Sequence, residues 1–424
     1  MTFGSLGLCD KLLKAVAEQG YTTPSPIQSE AIPVILSHCD VMAVAHTGTG
    51  KTAGFTLPMV HLLSGGPSPQ AKHVRALVIT PTRELAAQVV DSVQNYSRHL
   101  NIRSSVVFGG VRIEPQIAEL QEGLDVLVAT PGRLIDLYNQ QAINFDQLEI
   151  LVLDEADRML DLGFIDDIRH IQTLLPKKRQ TLLFSATFSK AIKSLVNGML
   201  NSPVLIEVTA VNSTVDTVKQ LIHPVDKARK SELLIHLIKK NKWHQVLVFS
   251  RTKDGADRLV VQLKNAGINA ESIHSNRSQH ARTHALEDFK NGTIVALVAT
   301  DIASRGIDVN QLPCVVNVDL PYVAEDYVHR IGRTGRAGSS GLAVSLFSED
   351  ESKQLLSIER LIGRQFQHDI ISGFEPIEKA KVSTTSSDDD EYGNFEADAK
   401  PRRKGKSRGR GSRGGKSSNR NHFY

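Results

Sequence analysis

The sequence predicts an α/β protein of two tandem domains, each built on a parallel sheet covered by helices, followed by a disordered basic tail. Three observations carry this. Short continuous apolar runs alternate with helical patterns through the body, as expected of strands buried on both faces. The rhythm breaks across Val208–Val218, a helix-poor stretch of Val, Thr, Asn and Ser, and then restarts. After about Gly373 it fades into Asp388-Asp-Asp-Glu391 and a Gly/Ser/Arg/Lys segment too poor in apolar residues to form a core.

Along the chain, Leu8, Leu12, Leu13 and Val16 mark a leading amphipathic helix. Strands are expected at Val41–Ala45, Ala76–Ile79, Ser105–Phe108, Val126–Ala129, Ile150–Leu153 and Thr181–Phe184, each ending in a polar or glycine turn. The second half repeats the pattern at Gln245–Phe249, Ala270–Ile273, Ile294–Ala299, Cys314–Val318 and Leu342–Phe347. Ligands of such sheets bind at the carboxyl ends of strands. Residues capable of chemistry follow those ends here: Thr47–Thr52, Pro81–Glu84, Gly109-Gly110, Asp154–Asp157 and Ser185–Thr187.

At 424 residues, 41% hydrophobic and 23% charged, the composition is that of an ordinary soluble protein. No apolar run approaches the roughly 20 residues that span a bilayer, and Met1-Thr-Phe-Gly-Ser-Leu6 lacks the features of a signal peptide. A membrane role is excluded and a cytoplasmic location expected. Cys9, Cys39 and Cys314 have neither metal nor disulfide spacing and are expected as buried, reduced thiols. Ten Lys or Arg and no acid lie between Lys400 and Arg420, so the remainder of this +4 chain carries −6. Nucleic-acid binding by the body must therefore come from placed residues, not bulk charge.

Two stretches define a candidate site. Ala45-His46-Thr47-Gly48-Thr49-Gly50-Lys51-Thr52 follows a strand and ends like a phosphate-binding loop, although a strict pattern has Gly at Ala45. In such a loop main-chain N–H groups wrap phosphates, the lysine reaches the β/γ oxygens and the threonine hydroxyl ligates Mg²⁺. About a hundred residues on, the buried strand Ile150–Leu153 delivers Asp154 to the metal and leaves Glu155 to activate a water. Together they predict nucleotide hydrolysis. The second half has no such loop, but it ends in His329-Arg330-Ile331-Gly332-Arg333-Thr334-Gly335-Arg336. Arginines held by glycine turns suit phosphate, and from another domain they can act as arginine fingers.

These residues resemble the DEAD-box ATP-dependent RNA helicases of superfamily 2, over roughly residues 1–370 and in the family's motif order. Gly20-Tyr21-Thr-Thr-Pro24-Ser-Pro26-Ile27-Gln28, with Phe3 upstream, looks like the Q motif. Ala45–Thr52 is similar to motif I, Pro81-Thr82-Arg83-Glu84-Leu85 to Ia, Gly109-Gly110 to the GG doublet and Thr130-Pro131-Gly132-Arg133 to Ib. Asp154–Asp157 spells the family name, and Ser185-Ala186-Thr187 looks like motif III. Val248-Phe249-Ser250, Gln279–Arg282, Ala299–Asp308 and His329–Arg336 resemble motifs IV, IVa, V and VI. The short leader and the phrasing of Leu151–Leu160 look most like the bacterial RhlE-type subgroup. Departures lie at His46, where Gln is common, and at Ser275-Asn276-Arg277, where a Gly-containing version is usual.

The resemblance implies two RecA-like domains, 1–207 and 219–373, a linker at 208–218, a tail at 374–424, and ATP and Mg²⁺ as cofactors. It implies catalytic roles for Lys51, Asp154, Glu155, Arg333 and Arg336, with Thr52 and Asp154 on the metal. Phe3, Tyr21, Gln28 and the Ala45–Thr52 loop would bind nucleotide, with Asp308 contacting it from the second domain; the Gln28 amide matches the N6/N7 edge of adenine. RNA, single strand and short duplex with little sequence preference, would lie along Arg83, Gly109, Gly110, Thr130, Gly132, Arg133 and Thr300. Ser185 and Thr187 would hydrogen-bond the Asp157 side, and His329 would join them in coupling ATP to RNA. The expected function is local RNA unwinding or remodelling, in ribosome assembly or RNA turnover with ribosomal precursors or the degradation machinery as partners. Alternatives are an ATP-gated RNA clamp, an annealing chaperone working through the tail, and a DNA helicase; Gln28 and the His329-Arg330 opening argue against the last.

Overall fold

A computed structural model of the chain describes residues 1–45, 48–187, 189–196, 198–208, 218–301, 312–335 and 341–377. His46, Thr47, Asp308, Arg336, most of the expected linker and the tail from residue 378 therefore lie outside the described residues. The N-terminal lobe holds β1 (Val41–Val44), β2 (Val74–Ile79), β3 (Ser104–Val107), β4 (Leu124–Ala129), β5 (Ile150–Leu153), β6 (Gln180–Ser185) and β7 (Val204–Glu207). They pair in the order β3-β4-β2-β5-β6-β1-β7, all parallel. The C-terminal lobe holds β8 (Val218–Pro224), β9 (Val246–Phe249), β10 (Ala270–Ile273), β11 (Ala296–Ala299), β12 (Cys314–Asn317) and β13 (Gly341–Phe347). These pair in the order β10-β11-β9-β12-β13-β8, again all parallel.

Both faces of each sheet are covered, which is why the strands read as unbroken apolar runs. In β2, Ala76 and Val78 join one buried cluster while Leu77 and Ile79 join the other. β9 divides likewise, with Val246 and Val248 on one side and Leu247 and Phe249 on the other.

Helices α1 (Asp10–Glu18), α2 (Pro26–Leu36), α3 (Lys51–Leu63), α4 (Arg83–Ser97), α5 (Glu114–Leu120), α6 (Pro131–Asn139), α7 (Ala156–Asp161), α8 (Ile165–Leu174) and α9 (Lys190–Val196) belong to the first lobe. Helices α10 (Lys230–Lys240), α11 (Lys253–Asn265), α12 (Gln279–Lys290), α13 (Ala324–Ile331) and α14 (Ser352–Ile362) belong to the second. Their starts obey local chemistry: the Thr82, Thr252 and Ser278 hydroxyls accept the N–H groups of Leu85, Gly255 and Ala281 to cap α4, α11 and α12. No helix among the described residues is long and apolar enough to cross a membrane.

Four expectations need correction. β7 and β8 are additional strands, and Val218 opens β8 instead of closing a linker. Leu8 precedes α1, which starts at Asp10. Phe374 is part of the second lobe: Arg229 lies over its ring at 4.7 Å, and the Ile377 N–H reaches Asp226 at 3.1 Å. Of the cysteines only Cys314 is buried, and Cys39 is exposed.

Candidate functional site at the rims of two sheets

Strand order divides the rim of the first sheet in two. β1, β6 and β5 are consecutive neighbours, with Val44 beside Ser185 and Leu153 beside Leu183. Their carboxyl ends therefore place the phosphate-binding loop, Ser185–Thr187 and Asp154–Asp157 side by side. On the other side of β5, the ends of β2, β4 and β3 carry Pro81–Glu84, Thr130–Arg133 and Gly109-Gly110.

On the first rim the loop turns through Gly48 and Gly50 at φ of 85° and 90°. A Cβ at Gly50 would stand 2.4 Å from Gln28 Nε2, so both backbone and space require glycine there. Lys51 and Thr52 open α3; Lys51 is buried, and among the described residues its Nζ has no hydrogen-bond partner. Asp154 is also buried with an unpartnered Oδ1, and burial pushes its carboxyl up to about 7 against the opposing charge of Lys51. Burial likewise raises Glu155, opposed by Lys51 and Arg333. Glu155 adopts φ 54° and ψ 53°, a left-handed conformation uncommon for a residue with a side chain. A buried ammonium facing a buried carboxyl oxygen is the donor set that a phosphate with a hard divalent cation would fit.

The adenine-side residues differ from expectation. Gln28 Oε1 accepts the Ser25 N–H at 2.9 Å, and its Nε2 donates to the Gly50 carbonyl at 3.1 Å. One donor and one acceptor of the amide are thus spent on bracing the phosphate loop. Tyr21 is exposed and stacks against Phe3 at 6.5 Å. Phe3 itself sits in the core at 5% exposure, so it backs Tyr21 and has no face open to a base.

Across the cleft, a cavity of about 20 Å³ is lined by Glu155, Asp157, Arg158, Asp161 and Ala186 from one lobe and His329 and Arg333 from the other. That volume suits a water molecule. Arg330, which carried no assignment from sequence, is the pillar beneath them. It is 2% exposed, forks onto Asp301 at 2.6 and 2.8 Å, and donates to Asn317 Oδ1 and the Asp319 carbonyl. Among the described residues the expected link through the Ser185 and Thr187 hydroxyls is not made. The Ala186 N–H donates to Asp157 Oδ2 at 3.1 Å, whereas Ser185 Oγ donates to the Thr187 carbonyl.

On the second rim a groove of about 490 Å³ is lined by Arg83, Gly109, Gly110, Thr130, Gly132 and Arg133, with Ser275 and Arg282 from the other lobe. Thr300 does not line it; it is buried at the end of β11. A Cβ on Gly110 would lie 2.3 Å from the Arg83 guanidinium. Arg133 donates to the Val111 carbonyl at 2.8 Å, and among the described residues its buried Nη1 has no partner. The lobes meet here: Arg282 pairs with Glu84 at 2.8 Å, and Gln279 bridges Glu84 and Arg83 at 3.0 and 3.3 Å.

The DEAD/DEAH box helicase model matches residues 25–195 and the helicase conserved C-terminal domain model residues 229–338. Over 369 residues the chain is 40% identical to the ATP-dependent RNA helicase RhlB of Pseudomonas syringae pv. tomato, covering 86% of this chain and 93% of that one. It is 41% identical over 382 residues to the RNA helicase CrhR of Synechocystis, covering 90% and 77%. Among solved structures, S. cerevisiae Dbp5 bound to RNA and ADP BeF3 aligns with a TM-score of 0.77 at 32% identity, covering 88% of this chain and 95% of that one. With two parallel-sheet lobes, a phosphate-loop rim and relatives of this extent, the chain belongs to the DEAD-box ATP-dependent RNA helicases.

Proposed function

We propose that the chain hydrolyses ATP between its lobes and uses the cycle to open short RNA duplexes or remodel RNA–protein complexes. The observation that carries this reading is the buried, unpartnered pair of Lys51 Nζ and Asp154 Oδ1 on a rim faced by Arg333 of the other lobe. Lys51 takes the β/γ-phosphate oxygens, and the main-chain N–H groups of the Gly48–Thr52 turn cradle the phosphates. Thr52 and Asp154 would hold Mg²⁺, which when bound neutralises charge on the phosphates. Glu155 orients the attacking water and takes its proton. Arg333 and Arg336 stabilise charge on the transferring phosphoryl group, so turnover needs both lobes. Tyr21 stacks on adenine over Phe3, Gln28 reads the base edge with its remaining donor and acceptor, and Asp308 reaches the nucleotide from the second domain.

RNA follows the second rim, where Arg83, Arg133 and the N–H groups of Gly109, Gly110 and Gly132 hold a sugar–phosphate track with little sequence preference. Thr300 supports that track from behind. Asp157, Ala186 and His329 join the rims, with Ser185 and Thr187 shaping the turn that presents the Ala186 N–H. The ATP-binding domain spans 1–207 and the C-terminal helicase domain runs from 218 to about residue 377, with the basic tail as an RNA tether. The chain works in the cytoplasm as an RhlE-type enzyme, on ribosomal precursors or with the RNA-degradation machinery. The test is ATP hydrolysis with and without RNA. Lys51→Ala abolishes turnover, and Arg336→Ala suppresses turnover more than nucleotide binding. Unchanged RNA-stimulated turnover in Arg336→Ala would refute a site shared between lobes.

A further inference from the structure

The C-terminal wall of the groove is a short loop, His274–Ser278, between β10 and α12. It sets Ser275 in the groove and leads directly into Gln279 and Arg282, which cross to the first lobe. The main tie on this loop is one carboxylate on α11. Asp257 Oδ1 accepts the Ser272 hydroxyl at 2.6 Å, the His274 Nε2 at 3.0 Å and the Arg277 Nη2 at 3.1 Å. Arg277 closes the triangle by donating to Ser272 Oγ from Nε and Nη2 at 3.1 and 2.9 Å. His274 is buried, and among the described residues its Nδ1 has no partner, so Asp257 orients the ring. A second tie comes from the first turn of the same helix, where Lys253 Nζ donates to Asn276 Oδ1 at 2.9 Å.

We propose that Asp257 is a positioning residue for RNA engagement, fixing the loop that carries Ser275, Gln279 and Arg282 to the groove. The proposal rests on the groove being the RNA path. Asp257 lies outside the groove lining and on the opposite lobe from the phosphate loop, so its effect reaches RNA only through the loop. Its carboxyl is held below the ordinary range: partial desolvation opposes this, but the hydrogen bonds from Ser272 and His274 and the charges of His274 and Arg277 outweigh it. Because both arms of the loop, Ser272–His274 before its tip and Arg277 after, meet on one oxygen, losing it loosens both at once.

The experiment compares Asp257→Ala, Asp257→Asn and Arg277→Ala in the full-length protein, measuring ATPase across an RNA titration and nucleotide affinity without RNA. The RNA concentration for half-maximal ATPase should rise about tenfold in Asp257→Ala, the scale of one charge-assisted hydrogen bond. Nucleotide affinity should stay unchanged and the saturated rate within about twofold, since the lost contribution is to binding. Asp257→Asn, which keeps an acceptor oxygen, should recover part of the loss; Arg277→Ala, which removes only the loop arm, should repeat it should Asp257→Ala fail to fold. An unaltered RNA titration in Asp257→Ala or Arg277→Ala overturns the proposal, as does a parallel fall in nucleotide affinity, which a merely structural role would give. Wild-type protein unresponsive to RNA would instead bring down the groove assignment, and this proposal with it.

Discussion

Replacing Arg282 with alanine removes one member of a buried ion pair at the lobe interface. Its partner Glu84 is 6% exposed in its side chain, Arg282 is 9% exposed, and the pair spans 2.8 Å. Removing one partner of a buried pair typically costs about 3–5 kcal/mol, because the other charge stays desolvated. Here the protein has an escape: the lobes part and water reaches Glu84. The cost therefore falls on the closed arrangement and not on the folding of either lobe. Taking the lower bound of about 3 kcal/mol, the closure constant falls roughly a hundredfold. Apparent RNA affinity falls with the closed fraction. The assay is lobe distance by fluorescence transfer, with RNA and a non-hydrolysable ATP analogue present, alongside the ATPase titration. Arg282→Ala should populate the open arrangement, and Glu84→Arg combined with Arg282→Glu should recover part of the loss in a double-mutant cycle. Wild-type transfer efficiency in Arg282→Ala would refute the interface as a determinant of closure.

Glu155→Gln should bind ATP and RNA together and release neither readily, since water activation is lost while Asp154 stays in place; RNA release as fast as wild type would count against it. Gln28→Ala should erode preference for ATP over GTP and also loosen the phosphate loop that it braces through Gly50, raising KM for both nucleotides; full ATP preference in competition would reassign the adenine reader. Asp154, raised to about 7 from an ordinary 3.8, contributes most to folding below pH about 4, and that contribution is lost as pH rises toward 7. A divalent cation must displace its proton below that pH, so thermal stabilisation by Mg²⁺–ADP should be larger at pH 8 than at pH 6, and Asp154→Asn should flatten the difference; equal stabilisation in wild type would refute the linkage. Truncation after Ala399 should raise the RNA requirement, reduce the salt slope by a few units and leave the saturated rate within about twofold; a collapse of that rate would show another role.

The interior strands were legible in the sequence because burial on both faces leaves no polar residue to interrupt them. β7 and β8 escaped for the opposite reason. They are edge strands: Val204 and Leu205 stay exposed, and β8 intersperses Lys219 and Gln220 among its apolar residues and ends in Pro224. Contiguous site motifs were legible because one turn after one strand sets their geometry, as in Gly48–Thr52 and Asp154–Asp157. What stayed hidden were pairings between separate segments, Glu84 with Arg282, Asp301 with Arg330 and Asp257 with Arg277, because a sequence pattern places each segment without showing which ones meet. The Ala186 N–H leaves no mark in the sequence, because every residue but proline carries a main-chain donor and only the turn aims this one at Asp157.

The two rims share more than a sheet. β5 lies between the nucleotide side and the groove side, and the Asp157–Ala186 bond ties its exit to that of β6. Across the interface, α13 brings Arg333 toward Glu155 while α12 brings Arg282 onto Glu84. Both contacts come from one lobe to the other, and Arg330 fixes α13 to β11 and β12 through Asp301 and Asn317. A ligand that draws Arg333 inward on the first rim therefore favours the same approach that seats Arg282 on the second. Because linkage is reciprocal for binding, RNA bound in the groove as proposed would strengthen ATP binding by the same factor as ATP strengthens RNA. On that reading, hydrolysis would remove the anion facing the arginine side of the cleft, and the groove would lose the arrangement that held its strand.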